Sequence, residues 1–223
     1  MKTTANKVVE IAKSQIGNHE TGTNKNKYAA DLDKTTMYNG KKQGVAWCDV
    51  FVDWCVWTAC GQNVSDAEYT LCQPDKSCGA GCKYSMEYYK AKKRFYSSPA
   101  VGDQIFFTNG STINHTGIVT AVSNGKVSTV EGNSDDAVKA HTYTLTSKKI
   151  AGYGRPRYET AAATTPTSNV SNLLSDAMIN NLAVRVIRGD FGNGATRKSK
   201  LNGLGYGDIY SIVQKRVNQL LKK

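Results

Sequence analysis

Histidine is scarce in this chain: its 223 residues include only His19, His115 and His141. Chemistry near neutral pH that needs an imidazole therefore has few places to sit. Long apolar runs are absent, and no segment is long enough to span a bilayer as a helix. The stretch from Met1 to Glu10 lacks the uninterrupted apolar core of a secretory signal. The expectation is a soluble chain that stays in the cytosol where it is made, with no membrane insertion. Acid is short relative to base, with 18 Asp and Glu against 29 Lys and Arg, net +11. Such a field favours an anionic polymer. Aromatic residues do not interleave with the basic ones as a stacking platform requires, and no nucleic-acid fold signature is present, so nucleic acid is not the expected ligand. Paired C-x-x-C knuckles are missing too. The loop cysteines Cys60, Cys72, Cys78 and Cys82 stay open between reduced structural thiols, disulfides formed after release into an oxidising exterior, and a structural zinc. No cofactor is expected.

What is present is one cysteine, one histidine and one carboxylate in a telling order. Cys48 opens the run Cys48 to Ala59, in which Phe51, Val52, Cys55 and Val56 fall at helical spacing. A thiol at a helix N-terminus meets the positive end of the dipole, which predicts a lowered pKa and a thiolate near neutrality. His115 heads the β-branched run His115-Thr116-Gly117-Ile118-Val119, and Glu131 ends another, Thr129-Val130-Glu131. Acyl transfer by a thiol needs a nucleophile, a base that shuttles its proton, and a group that orients the base. Any one of these residues alone reads better as a core cysteine, a satisfied imidazole or a strand-end carboxylate. Together they predict catalysis by Cys48, His115 and Glu131.

Trp47 to Trp57, Val101 to Phe107, His115 to Val119, Val130-Glu131-Gly132-Asn133 and Gly152-Tyr153-Gly154-Arg155-Pro156 together resemble a CHAP domain over roughly residues 5 to 158. CHAP domains are cysteine amidohydrolases and peptidases of bacteriophage endolysins and bacterial autolysins. The resemblance implies a papain-like α+β fold, Cys48 as nucleophile, His115 as general base and acid, and Glu131 as its orienting carboxylate. Asn133 is implied as a fourth polar group, leaving the same strand face as Glu131 if that strand continues. Two departures stand out. Trp47 replaces the glutamine that often precedes the nucleophile, so the second oxyanion donor is open, with Gln43 and Tyr38 as candidates. Gln43 and Trp47 are also the candidate substrate-side residues. Tyr38 to Gly44 carries no carboxylate, so the calcium site of some CHAP domains is not expected, and no metal is assigned.

The layout reads as helices first and an antiparallel sheet afterwards. Helices are predicted at Ala5 to Ile16, Cys48 to Ala59 and Tyr84 to Phe95. Strands are predicted at Gln104 to Phe107, Thr116 to Val122, Lys126 to Glu131, His141 to Leu145 and Ile150 to Arg155, with an Asn124-Gly125 turn. Asn24 to Val45 reads as a polar, turn-rich loop. The catalytic domain is placed at 1–159. Residues 160–174, small, polar and proline-punctuated, read as a flexible linker. Residues 175–223 read as a three-helix bundle: a first helix capped by Ser175 or Asp176, with Met178, Ile179, Leu182, Val186 and Ile187 on one face; a second from Thr196 to Leu201; and a third capped by Asp208. This tail carries 9 Lys and Arg against 3 Asp and Glu, net +6, while residues 1–159 carry 20 against 15, net +5.

Val186 to Gly189, Phe191-Gly192-Asn193-Gly194, Arg197, Leu201, Gly205-Tyr206 and Val213 to Asn218 resemble the cell-wall-binding repeat of a choline-independent pneumococcal phage lysozyme. That resemblance implies one module recognising the muropeptide, with Arg197, Tyr206 and Gln214 as candidate ligand residues. For Tyr206 a core position, and for Arg197 a solvated or helix-pairing charge, are the alternatives. The expected function is a monomeric endolysin cutting a peptidoglycan amide, as an N-acetylmuramoyl-L-alanine amidase or a stem or cross-bridge endopeptidase. It would remain in the host cytoplasm until release and then act on the wall. The rival classes are a wall-binding protein without turnover and a cysteine protease acting on proteins.

Overall fold

Thr4 accepts a hydrogen bond from the Lys7 amide and so starts α1 (Ala5–Ser14), which buries Val8, Val9 and Ala12. The computed structural model describes residues 2–74, 79–159, 176–202 and 209–221. The chain divides into two compact units, 1–160 and 161–223. In the first, α2 (Lys27–Leu32), α3 (Cys48–Ala59), α4 (Val64–Thr70) and α5 (Cys82–Ala91) precede β1 (Phe95–Tyr96), β2 (Gln104–Thr108), β3 (Ile113–Ser123), β4 (Lys126–Ser134), β5 (Ala137–Thr144) and β6 (Ile150–Gly154). The strands form one antiparallel sheet in the order β1-β6-β2-β3-β4-β5. Helices before an antiparallel sheet make this an α+β unit.

The core is built around α3. Its residues from Cys48 to Trp57 are all buried, as befits a helix that is apolar nearly all round. It packs against β3 and β4, the strands of His115 and Glu131, and against α1 and α2. Tyr28 of α2 meets Trp47, Phe51 and Trp54 with ring centroids 5.0–5.4 Å apart. Gly132 is required where β4 crosses this helix, because a Cβ there would lie 2.4 Å from that of Phe51.

Two short helices occupy stretches without a strong apolar period. The expected loop from Asn24 to Val45 contains α2, and α4 follows Cys60. Each starts on an asparagine whose side chain accepts from a first-turn amide, Asn26 from Ala29 and Asn63 from Asp66. α5 begins at Cys82, two residues before the predicted start. β5 begins at Ala137 rather than His141, because β4 and β5 pair almost to their connecting turn. Asn124 and Gly125, both at positive φ, make the tight β3–β4 turn.

In the second unit α6 (Asp176–Arg188), α7 (Gly194–Asn202) and α8 (Tyr210–Leu220) enclose Ile179, Leu182, Ala183, Val186, Phe191, Leu201, Ile209, Val213 and Val217. Ile187, expected on the buried face, is 45% exposed, since it lies one residue beyond Val186 and rotates out of the stripe. Ile209 holds the N-cap position of α8, and Asn202 from the preceding helix accepts the Tyr210 amide at 3.1 Å. The expected linker, Ser175, Asp208, Tyr206 and the side chain of Met178 lie outside the described residues.

Candidate active site

His115 and Glu131 meet across the β3–β4 pair, with His115 Nε2 2.9 Å from Glu131 Oε2. The carboxylate is 1% exposed and is further held by the hydroxyls of Thr129 and of Tyr143, the latter at 3.3 Å. Thr129 lies two residues before Glu131 on the same strand face, and Tyr143 comes from the neighbouring β5. Burial and the Glu131 charge push the Tyr143 phenol upward, so it remains a donor. With Glu131 accepting from Nε2–H, the lone pair of neutral His115 is on Nδ1, the nitrogen left to take a proton. Gly117 makes room for the pair, since a Cβ there would lie 2.5 Å from Glu131 Cγ. Phe107 stacks on the imidazole at 5.8 Å.

Cys48 is the first residue of α3, with Trp47 at the N-cap. Among the described residues its thiol is hydrogen-bonded to that of Cys82, which opens α5, and receives the backbone N–H of Asp49. The expected lowering of its pKa is overturned. The Cys82 hydrogen bond, burial and the Asp49 charge together push Cys48 well above the ordinary thiol value, outweighing the helix N-terminus. Cys82 is shifted the other way, chiefly by the same hydrogen bond.

The remaining candidates take more modest positions. Asn133 adopts φ 56° within a bulge between Glu131 and Ser134, so the alternation that would put it on the Glu131 face is broken. Trp47 is fully buried, stacks on Tyr28 and donates Nε1–H to Glu20 at 3.0 Å, so it shapes the wall behind Cys48 rather than offering a surface to substrate. Gln43 is bonded through both amide atoms to the backbone of Asn26, beside a depression of about 440 Å³. The Tyr38 hydroxyl donates to Asp53 at 2.8 Å and is not an oxyanion donor. The Asp33 carboxylate accepts the amides of Lys42 and Gln43 and thereby pins the loop before Cys48. Cys55, Cys60 and Cys72 are buried free thiols, and Cys78 is outside the described residues. Sequence reasoning missed Thr129, Tyr143, Asp49, Gln104 and Cys82. The period-2 pattern placed Thr129 within reach of Glu131, but nothing local pointed to Cys82.

In the C-terminal unit each nitrogen of the Arg197 guanidinium makes a hydrogen bond: Nε to the Gly192 carbonyl, Nη1 to Gln214 and Nη2 to Asn193. Arg197 thus ties α7 and its leading loop to α8. Gln214 also lines a depression of about 530 Å³ with Tyr210, Ser211, Lys215, Asn218 and Gln219.

No curated protein matches this sequence. A crystal structure of Ly7917 is similar at 16% identity and TM-score 0.45, covering 69% of this chain and 62% of that one. A second structure of Ly7917, with the hydrolyzing product of MDP, is similar at 17% identity and TM-score 0.44, covering 69% of this chain and 63% of that one. The chain therefore spans less than two thirds of either. The CHAP domain family matches residues 40–133, a stretch that holds Cys48, His115, Glu131 and Asn133, and the CW_7 repeat matches residues 180–221. The chain carries a CHAP domain followed by a CW_7 cell-wall repeat.

Proposed function

We propose that the chain is a peptidoglycan hydrolase that cuts an amide bond, with Cys48 as nucleophile, His115 as proton shuttle and Glu131 as the group that orients it. The observation that carries the reading is the buried His115–Glu131 hydrogen bond inside the CHAP match, on strands packed against the helix that Cys48 opens. Cys48 gives its proton to His115 Nδ1 as sulfur attacks the carbonyl carbon. The imidazolium formed is held by Glu131 and returns the proton to the leaving amine, leaving a thioester. Water, deprotonated by His115, then clears the thioester. First-turn amides of α3 have no intrahelical carbonyl acceptor, which makes the Cys48 N–H the proposed donor for the oxyanion.

The CW_7 repeat supports a muropeptide as the ligand of the second unit. The depression on α8 beside Gln214 is the proposed contact surface. Mass spectrometry of digested peptidoglycan tests the reaction. Released intact stem peptides with a free alanine amine identify an amidase, and new amino termini within the stem or cross-bridge identify an endopeptidase. Unchanged peptidoglycan together with digested casein would replace this reading with a protease acting on proteins.

A further inference from the structure

The nucleophile helix and the histidine strand are joined by a buried polar bridge. Gln104 on β2 donates from Nε2 both to Asp49 Oδ1, at 2.8 Å, and to Thr116 Oγ1, at 3.1 Å. Asp49 follows Cys48 in the chain, and Thr116 follows His115. Thr116 in turn donates to the Ile105 carbonyl at 2.7 Å, which ties its hydroxyl back to β2. The other oxygen of Asp49 accepts the Gly81 amide at 2.7 Å and the Ser85 hydroxyl at 2.8 Å, fixing the first turn of α5 and so the place of Cys82. Asp49, Gln104, Thr116 and Ser85 are each at most 2% exposed. Three donors converge on the carboxylate and none of its oxygens donates, so the bridge is built for the ionised form. Burial opposes that form and raises the Asp49 pKa. A carboxylate kept at that cost beside a reactive thiol calls for a role, since an apolar side chain would pack there more cheaply.

We propose that Asp49 is a positioning residue that sets Cys48 against the His115 strand through Gln104 and Thr116, and that its buried charge opposes an unpaired thiolate at Cys48. The proposal rests on Cys48 being the nucleophile. Its chemical consequence is that Cys48 gives up its proton only to a base placed to receive it. A free thiolate beside Asp49 is repelled, whereas a thiolate paired with the His115 imidazolium is compensated. The groups that bear on the Cys48 proton are Asp49 on its own helix, Cys82 on α5, and the His115–Glu131 pair on β3 and β4.

The tests are Asp49→Asn and Gln104→Met in the full chain. Asparagine keeps the shape of Asp49, and Gln104 Oε1, which has no partner among the described residues, can accept from the new amide after the Gln104 amide flips. Methionine keeps the bulk of Gln104 and cuts the bridge, but leaves the charge. Two quantities are read: the pH midpoint of Cys48 alkylation by iodoacetamide, followed on the Cys48 peptide by mass spectrometry, and kcat and KM on soluble wall fragments. In D49N the midpoint should fall. In Q104M the midpoint should stay. In both, kcat should drop about tenfold or more with KM unchanged, the signature of misplaced reacting groups. A midpoint that does not move in D49N overturns the proposal, as does a kcat within twofold of the unsubstituted chain in Q104M. Should D49N fail to fold, Q104M and Ser85→Ala decide by the same kcat and KM split. The alkylation midpoint needs no substrate, so it reports on Asp49 even if the wall is the wrong substrate.

Discussion

At the scale of single residues, the carboxylate that holds His115 is distinct from the groups that bear on the Cys48 thiol. Glu131 receives His115, Thr129 and Tyr143 together, which only a carboxylate with two acceptor oxygens can do. Glu131→Gln places an amide donor against these donors and loosens the hold on the tautomer, so turnover should fall sharply, by up to about 10⁴, the loss found when a buried triad carboxylate is made an amide. Full turnover in that variant would remove Glu131 from the mechanism. Cys82 raises the Cys48 pKa more than any other neighbour, so Cys82→Ala should lower the pH midpoint of Cys48 alkylation, whereas a midpoint at or above that of the unsubstituted chain would contradict it. His115 and Glu131 were readable from the sequence because each sits on a strand pattern and the pair follows Cys48 in family order. Cys82 was not, because the approach of two helix N-termini 34 residues apart leaves no trace in either local pattern.

At the scale of elements, apolar period set how much could be foreseen. α3 was readable to the residue because apolar residues fill most of its positions from Cys48 onward. α2 and α4 escaped because they bury only part of their surface, although Asn26 and Asn63 stood as caps. The bulge at Asn133 escaped because a left-handed residue within a strand is set by pairing with β5. α3 also carries a liability. The Asp53 carboxyl is fully buried between Tyr38 and Gln73, and burial together with the Asp49 charge pushes its pKa well above the ordinary value. The folded chain holds that proton more tightly than the unfolded one. The stability it contributes is therefore complete below the ordinary carboxylate value, near 3.9, and is lost as pH rises toward the folded-state value. Asp53→Asn removes the liability, and Gln73 Oε1, unpartnered among the described residues, can accept from the new amide. This variant should melt higher than the unsubstituted chain at pH 7, by about 2–4 °C for each kcal/mol recovered, with the gap closing toward pH 4. Equal or lower melting at pH 7 would show that Asp53 is not a burden.

At the scale of the whole chain, the two units have separate cores, and the proposed function gives chemistry to the first and attachment to the second. The boundary was legible as a change of composition, and the second unit as three helical patterns around glycine-rich turns. Its ligand contacts were harder to read, because an arginine that braces two helices and one that awaits a ligand look alike in sequence. A wall-binding module adds no reactive group but raises the effective concentration of the catalytic unit beside an insoluble polymer. Truncation after Glu159 should therefore leave hydrolysis of soluble wall fragments intact and slow lysis of whole cells several-fold. The deficit should shrink as salt screens the net +6 of the tail. Equal lysis by both forms at low salt would deny the tail an attachment role. The most direct test of the account is the release of new amino groups from purified peptidoglycan by the full chain and by Cys48→Ala. The account predicts steady release by the first and none above background by the second, and equal release by the two would contradict it.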